Sequence, residues 1–514
     1  MARIHTVGEC DADELARRLV PRDDVLVLER EVACAGDGPR EGTPGPCGSA
    51  TFEAEHGPFR RYERTLDWSP GTDGRLRVEQ VVEFVPAIPY WSPLFVPLLK
   101  RVLPRGPAPG TTPWWSTPDR LSPRQSTAVA AMAACNLVAG LLYGLLTQVL
   151  TFISADLGDG SRTEQTTLLA AARLGVVVTV VAMVFADRRG RRRVALWSFA
   201  AAGVLTVATA AAPSLWAVGA LQLVARNLAV AGLLCVDTIA VEELPAGSRA
   251  MVTGLGTLAY GLGAGVVVMT LPLADLGPWG WRLTFVVAGL TLPLVAHAAR
   301  HLPESRRFED YLEAGTSDSG SRRIRGGRFL LLASMFFLLN VFLAPSSQLQ
   351  NDYLRTEHAF SGALITVFVL ATSTPGGLGV VVGGRLADVR GRRAAIVPGL
   401  VAVGLFNAAF FALGGPPMWI ASLLGSVLGA LCVPAMGVIA PELFPTGRRG
   451  GVRGALAAIG VGGSVLGLLV AGPVTDSHGY AVAFAGLAVA PLAAALLALA
   501  VPETRGRELE ELNP

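Results

Sequence analysis

Two short basic turns carry the densest chemistry in the chain. The first reads Ala186-Asp187-Arg188-Arg189-Gly190-Arg191-Arg192-Arg193 and the second Ala387-Asp388-Val389-Arg390-Gly391-Arg392-Arg393. Each sets one carboxylate beside clustered guanidinium groups, a combination suited to charge-assisted hydrogen bonds or to capping a helix N-terminus. Two more carboxylates precede a proline and an arginine: Glu242 before Pro245 and Arg249, and Glu442 before Pro445 and Arg449. Charges of another kind stand in apolar surroundings, namely Arg173, Arg226 and Asp237. A charge inside a membrane span is costly and is a functional candidate by default. Arg226 and Asp237 are 11 residues apart, about three turns at roughly 3.6 residues per turn, so they share a helix face.

The elements that position these groups are apolar. Of 514 residues, 51% are hydrophobic and only 16% charged, with a mean hydropathy of +0.48, against about 25% charged in soluble domains. This is a membrane composition. A net charge of +3 is too small to suggest nucleic acid. The six cysteines have neither metal-ligand spacing nor a disulfide pattern, so no metal or cofactor is expected. Basic residues are nearly all Arg, with Lys100 the exception, which with abundant Ala, Gly and Val points to a GC-rich bacterial genome. The N-terminus lacks the apolar core of a signal peptide.

Residues 1–118 read as a separate cytoplasmic domain. Partly alternating stretches at Val25–Val32, Ala50–Glu55, Phe59–Trp68 and Arg75–Val85 predict half-buried strands with a solvated outer face, and Ser92–Leu103 predicts a short amphipathic helix. The Pro-rich linker 104–118 places Trp114 and Trp115 where they could rest at the lipid interface. Glu55 and His56 of this domain are too isolated to support catalysis. From 126 onward come apolar spans near 127–154, 165–186, 194–212, 214–240, 250–273 and 281–301, a polar break at 314–327, then spans near 328–354, 361–383, 394–413, 416–440, 452–474 and 480–501. A crossing helix needs about 20 such residues. The bundles are thus expected at 126–313 and 328–514, with 314–327 the central cytoplasmic loop. Arginines occupy alternate connections, which puts those connections and both termini in the cytoplasm of a plasma-membrane protein.

Three signatures recur about 200 residues apart: Asp187 with Asp388, Glu242 through Arg249 with Glu442 through Arg449, and Pro303-Glu304 with Pro502-Glu503. Three matches in register indicate two six-helix halves from a duplication, as in transporters whose site lies between repeats. The stretch Gly383–Arg393 resembles the G-x-x-x-D-x-x-G-R-R/K signature of the major facilitator superfamily. The stretches PELFPTGRRG (441–450), PESRRF (303–308) and PETRGRELEEL (502–512) resemble its sugar and metabolite branches. Met183 stands where the first copy would have the signature's Gly, a departure expected to loosen packing there. The leader, with Tyr90-Trp91 and Leu94–Leu103, has a faint likeness to START-like or polyketide-cyclase-like folds.

The resemblance implies an all-α membrane protein of twelve transmembrane helices in two repeats, here preceded by a small, mostly β domain. It implies a monomeric secondary transporter of a small organic solute, working by alternating access with protons as the expected coupling ion, and not an enzyme. It implies a cytoplasmic gate at Asp187, Arg188, Arg191, Arg192, Glu242, Arg249, Gly384, Asp388, Arg390, Arg392, Glu442 and Arg449. In this family the first, fourth, seventh and tenth helices line the cavity, which makes Asn136, Tyr143, Gln148, Asn340 and Gln348 candidates beside Arg173, Arg226 and Asp237. Two interior arginines favour an anionic substrate. Asp237 could neutralise one of them or take up a proton. The polar residues could equally be glue between helices, and the gate charges could only fix topology. A membrane sensor with a transporter-like fold and a drug or metabolite exporter are the competing readings. The diagnostic motifs of the aromatic-acid, drug-antiporter and sugar branches are not matched.

Overall fold

The computed structural model describes residues 1–36, 47–71, 75–106, 112–158, 168, 175–274, 276–305, 326–360, 362–445 and 448–507. The chain divides into two compact units, Met1–Ala131 and Met132–Pro514.

The first unit is built on one antiparallel sheet. Strands β1 (Ala2–Cys10), β2 (Leu28–Gly36), β3 (Gly48–His56), β4 (Phe59–Pro70) and β5 (Leu76–Pro86) lie in the order β1-β5-β4-β3-β2. Alternation in β4 and β5 turns Tyr62, Leu66, Trp68, Val78, Val82 and Phe84 to one buried face. Helices α1 (Ala12–Leu19) and α2 (Ser92–Val102) complete its two hydrophobic clusters, through Leu15 in one and Leu99 in the other. Asp11 caps α1 by accepting from the Glu14 N–H at 2.7 Å, and acids then bases along α1 complement its dipole.

Strand β1 and helix α1 were not expected. β1 is an edge strand that buries only Cys10, so its sequence has no strong alternation. Within the sheet face sits an ion pair, Arg64 Nη2 to Glu29 Oε2 at 2.5 Å, with both side chains at most 4% exposed. The Tyr62 hydroxyl donates to Glu29 Oε1 at 2.6 Å, and Arg64 lies 4.2 Å over the Phe52 ring. Burial, reinforced by the Glu29 charge, pushes the Tyr62 hydroxyl well above its ordinary pKa. Trp115 meets Phe95 edge-on at 6.3 Å and packs against the α2 cluster, so it belongs to this core rather than to a lipid interface; Trp114 is exposed.

In the second unit, the helices are α3 (Pro123–Leu157, beginning in the first unit), α4 (Val176–Arg189), α5 (Arg191–Thr209), α6 (Leu215–Glu243), α7 (Arg249–Ala274), α8 (Gly280–Ala298), α9 (Gly326–Thr356), α10 (Gly362–Ser373 continued by Gly376–Arg390), α11 (Arg392–Ala412), α12 (Gly415–Gly429 continued by Cys432–Leu443), α13 (Arg449–Thr475) and α14 (Ser477–Ala498). These are the twelve expected spans in order. Among the described residues, 10 helices are long and apolar enough to cross a membrane by themselves. Only the latter part of the α4 span is described, and α5 opens on three arginines. Several helices begin or end a few residues beyond the expected apolar spans, on charges such as Glu242, Arg249, Arg392 and Arg449 that are buried and paired.

The duplication is visible in the packing. A Cβ on Gly263 of α7 would lie 1.9 Å from the Leu137 carbonyl oxygen of α3, and one on Gly463 of α13 would lie 2.3 Å from that of Phe337 in α9. Each small residue admits a neighbouring backbone, as close helix association in lipid requires. The Met183 departure does not loosen its seam. Met183 is fully buried, and the small residues lie opposite it, where Cβ atoms on Gly450 and Gly454 would meet the Met183 oxygen at 2.6 Å and its Cβ at 3.3 Å. In the other half the glycine stays on α10: a Cβ on Gly384 would sit 2.8 Å from Met251 Cα.

Candidate functional site

The two basic turns reverse at glycine. Gly190 and Gly391 have φ of 97° and 111°, a region that favours residues without Cβ. The helix that follows each turn starts on a buried arginine, Arg191 or Arg392. Its first N–H groups are capped by the third repeated carboxylate. Glu304 Oε1 accepts from Arg191 N at 3.1 Å and Arg192 N at 3.2 Å, and Glu503 Oε1 accepts from Arg392 N at 2.8 Å. Burial pushes the Glu304 carboxyl above its ordinary pKa, opposed by these N–H groups and by Arg191. The sequence repeat exposed these glutamates without indicating their role.

Asp187 does not cap the helix after its own turn. It crosses to the other half, where its two oxygens accept from Gly450 N at 2.9 Å and Gly451 N at 2.8 Å, at the start of α13. Asp388 makes the reciprocal crossing, accepting from Ala250 N at 3.1 Å and Met251 N at 2.8 Å at the start of α7. Helix N-termini favour such carboxylates through unsatisfied N–H groups and the helix dipole. Expectation and structure differ because the free N–H groups of α5 and α11 are already taken by Glu304 and Glu503.

The glutamates and arginines knit the same seam. Arg449 Nη1 reaches Glu242 Oε1 across the halves at 2.7 Å, while Arg191 stands 3.6 Å from Glu242 and 3.4 Å from Asp187. In the second copy the balance reverses. Arg392 binds Glu442 at 2.7 Å and also Asp388 within its own half, and Arg249 is 3.9 Å from Glu442 across the halves. All these side chains are at most 10% exposed. Arg188 and Arg390 are exposed, and Arg192 is exposed with Nη2 donating to the Ala299 carbonyl at 2.8 Å.

The interior candidates separate into groups. Arg226, on α6, is 8% exposed, lies 4.2 Å over the Tyr143 ring and donates to Thr147 Oγ1 at 3.3 Å, both on α3. Its Nε is buried without a hydrogen-bond partner. No ion pair engages Arg226 among the described residues. Asp237 lies too far along the helix to neutralise it, since 11 residues rise about 16 Å. Asp237 instead receives Arg453 Nη2 of α13 at 3.3 Å and, more loosely, Asn136 Nδ2 of α3 at 3.5 Å. Arg453 also donates to Thr238 Oγ1 at 3.3 Å.

Arg453 is not among the sequence candidates. Thr253 stands opposite it in the first half, and that mismatch marks it as a charge without a counterpart. It borders a cavity of about 520 Å³, lined by α6, α9, α11, α12 and α13, whose other polar lining residues are Asn340, Asn407 and Ser426. Asn340 Oδ1 accepts from Ser464 Oγ at 3.4 Å. Arg226 and Tyr143 do not line this cavity. Gln148 is exposed. Arg173 and the Gln348 side chain lie outside what the structure describes.

A duplicated bundle of twelve helices, with an interior cavity and paired charges across one end of its seam, defines a membrane carrier for small solutes. Residues 132–349 and 329–513 match the Major Facilitator Superfamily, and the chain belongs to that family. It is 24% identical over 301 residues to a putative metabolite transport protein of Haemophilus influenzae, covering 53% of this chain and 69% of that one. It is 26% identical over 292 residues to the cis,cis-muconate transport protein of Acinetobacter baylyi, covering 53% and 69%. Among solved structures, the proton:xylose symporter XylE superposes with a TM-score of 0.66 at 16% identity, covering 76% of this chain and 98% of that one, a likeness of fold. The protein is therefore a multi-pass membrane transporter and not an enzyme.

Proposed function

We propose that the protein moves a small organic anion across the plasma membrane by alternating access, driven by protons, as a monomer with both termini in the cytoplasm. The observation that carries the reading is Arg226. A buried guanidinium with a free Nε and no carboxylate partner among the described residues is costly unless an anion completes it. The cis,cis-muconate relative transports a carboxylate, which agrees with that chemistry. Asp237 supplies a buried carboxyl for the coupling proton. Neutralising it would release Arg453, so proton uptake and separation of the halves would be one event. The seam of swapped carboxylates acts as the cytoplasmic latch of the outward-facing state.

The test is uptake into proteoliposomes under an imposed pH gradient, with a panel of carboxylates, sugars and cationic drugs. Carboxylate flux that needs the gradient is expected, and Arg226→Gln should lower its kcat/KM by about 10- to 150-fold, the worth of a charged hydrogen bond of roughly 1.5–3 kcal/mol. Flux of sugars or drugs with none of carboxylates would overturn the anion reading. A regulatory role for the leader is a second reading. It is favoured by its direct bond to the first membrane helix, Trp91 Nε1 to the Ala130 carbonyl at 3.1 Å. Removing residues 1–118 should then change the response of flux to substrate, and unaltered flux would dismiss the role.

A further inference from the structure

A second feature lies within the first half, beside the first basic turn. α5 and α8 enclose a groove of about 340 Å³. Its walls are stripes at helical spacing, Leu196 and Ala200 on one side and Leu292 and Val295 on the other. One end is apolar and the other is basic. Arg192 and Arg193 close the basic end, and Arg192 is held there by its bond to the Ala299 carbonyl. The Arg193 guanidinium is exposed and has no hydrogen bond or ion pair among the described residues. Trp197, one turn further along the groove, is 71% exposed.

The duplication provides an internal control. The second half keeps the fold's own arginine: Arg393 Nε donates to the Val501 carbonyl at 2.6 Å, matching Arg192 and Ala299. Where the first half has Arg193 and Trp197, however, the second has Ala394 and Pro398. Neither helix packing nor the turn requires a free arginine and an exposed tryptophan. Nor does the start of α5 offer bare N–H groups to an anion, because Glu304 occupies them.

We infer that this groove is a binding site for an anionic phospholipid. An acyl chain lies along the α5–α8 stripes, the phosphate is held by Arg192 and Arg193, and Trp197 sits at headgroup level. Basic pockets beside apolar intramembrane grooves suit such headgroups, each arginine contributing on the order of 1 kcal/mol, or about fivefold. The adjoining acyl groove selects a lipid phosphate over a free one, since inorganic phosphate would leave the apolar length unfilled.

The experiment places the full-length protein in nanodiscs of equal phosphatidylglycerol and phosphatidylcholine, extracts it, and counts retained lipids by native mass spectrometry. Phosphatidylglycerol should be enriched severalfold in the first retained lipid. Arg193→Ala should cut that enrichment about fivefold, Arg193→Lys should largely keep it, and Ala200→Phe should reduce retention of both lipids by filling the groove. Equal retention of the two lipids by the unaltered protein would overturn the proposal without recourse to any variant. So would undiminished enrichment in both Arg193→Ala and Ala200→Phe.

Discussion

Replacing Asp388 with asparagine removes one charge from the seam and leaves its shape. In the native protein both Asp388 oxygens accept N–H groups of the opposite half, from Ala250 and Met251, while Arg392 holds the carboxylate from its own side. An asparagine retains one acceptor oxygen. Its NH₂ must then face either a backbone N–H or the Arg392 guanidinium, donor against donor. Arg392 itself stays bound to Glu442 at 2.7 Å, so the fold keeps its main buried ion pair. The loss falls on the bonds between halves: one charged hydrogen bond gone and one weakened, roughly 2 kcal/mol or about 30-fold. A carrier balanced between its two states would hold the latched state at only a few per cent. Uptake should fall at least tenfold with unchanged membrane insertion. Access can be read by maleimide labelling of Ser426→Cys, which lines the cavity, after replacing the exposed Cys34 and Cys47 with serine and the cavity-lining Cys432 with alanine. Labelling from the basic face should rise in Asp388→Asn and labelling from the other face should fall. Unchanged flux with unchanged labelling would refute the latch.

The two repeated glutamates should not be equivalent. Glu242→Gln breaks a 2.7 Å bond between halves, whereas the corresponding distance at Glu442 is 3.9 Å, so the labelling shift should be several-fold larger for Glu242→Gln; equal shifts would count against the asymmetry. Asp237→Asn should abolish pH-gradient-driven uptake while leaving substrate exchange. Combined with Arg453→Met it should show a coupling of roughly 1–3 kcal/mol in a double-mutant cycle on unfolding, and additive effects would mean the pair does not act together. In the leader, Arg64→Met strands the buried Glu29 carboxylate at a cost of about 3–5 kcal/mol, and limited proteolysis of the full-length chain should then cut within residues 1–103 far faster than in the native protein.

Much of the membrane unit was legible because lipid imposes a simple code. A run of apolar residues, a cluster of arginines and a repeat in register suffice to place Asp187, Glu242 and their second-half counterparts at one end of the bundle. What they bind there was not legible. The helix start nearest to Asp187 in sequence is that of α5, whereas the N–H groups it accepts from are those of Gly450 and Gly451, more than 260 positions along the chain. Arg453 lies one turn inside its helix, close to Arg448 and Arg449, and only its mismatch with Thr253 of the first half sets it apart from them; it is 8% exposed and faces Asp237. β1 is hidden in the sequence for the opposite reason. An edge strand with one buried residue needs no hydrophobic alternation, so its pattern is set by its partner β5.

The exchange of carboxylates has the form of an isologous dimer contact: residue i of one copy touches j of the other, and j touches i. In two identical unlinked copies, any substitution at that contact would strike twice. Once the copies share a chain, each contact can be altered alone. One now seats Met183 against Gly450 and Gly454, and the other seats Gly384 against Ala250 and Met251. Linking the copies thus frees the two sides to take unequal stiffness, so in the proposed alternating-access motion the weaker contact would part first while the stronger one serves as its pivot.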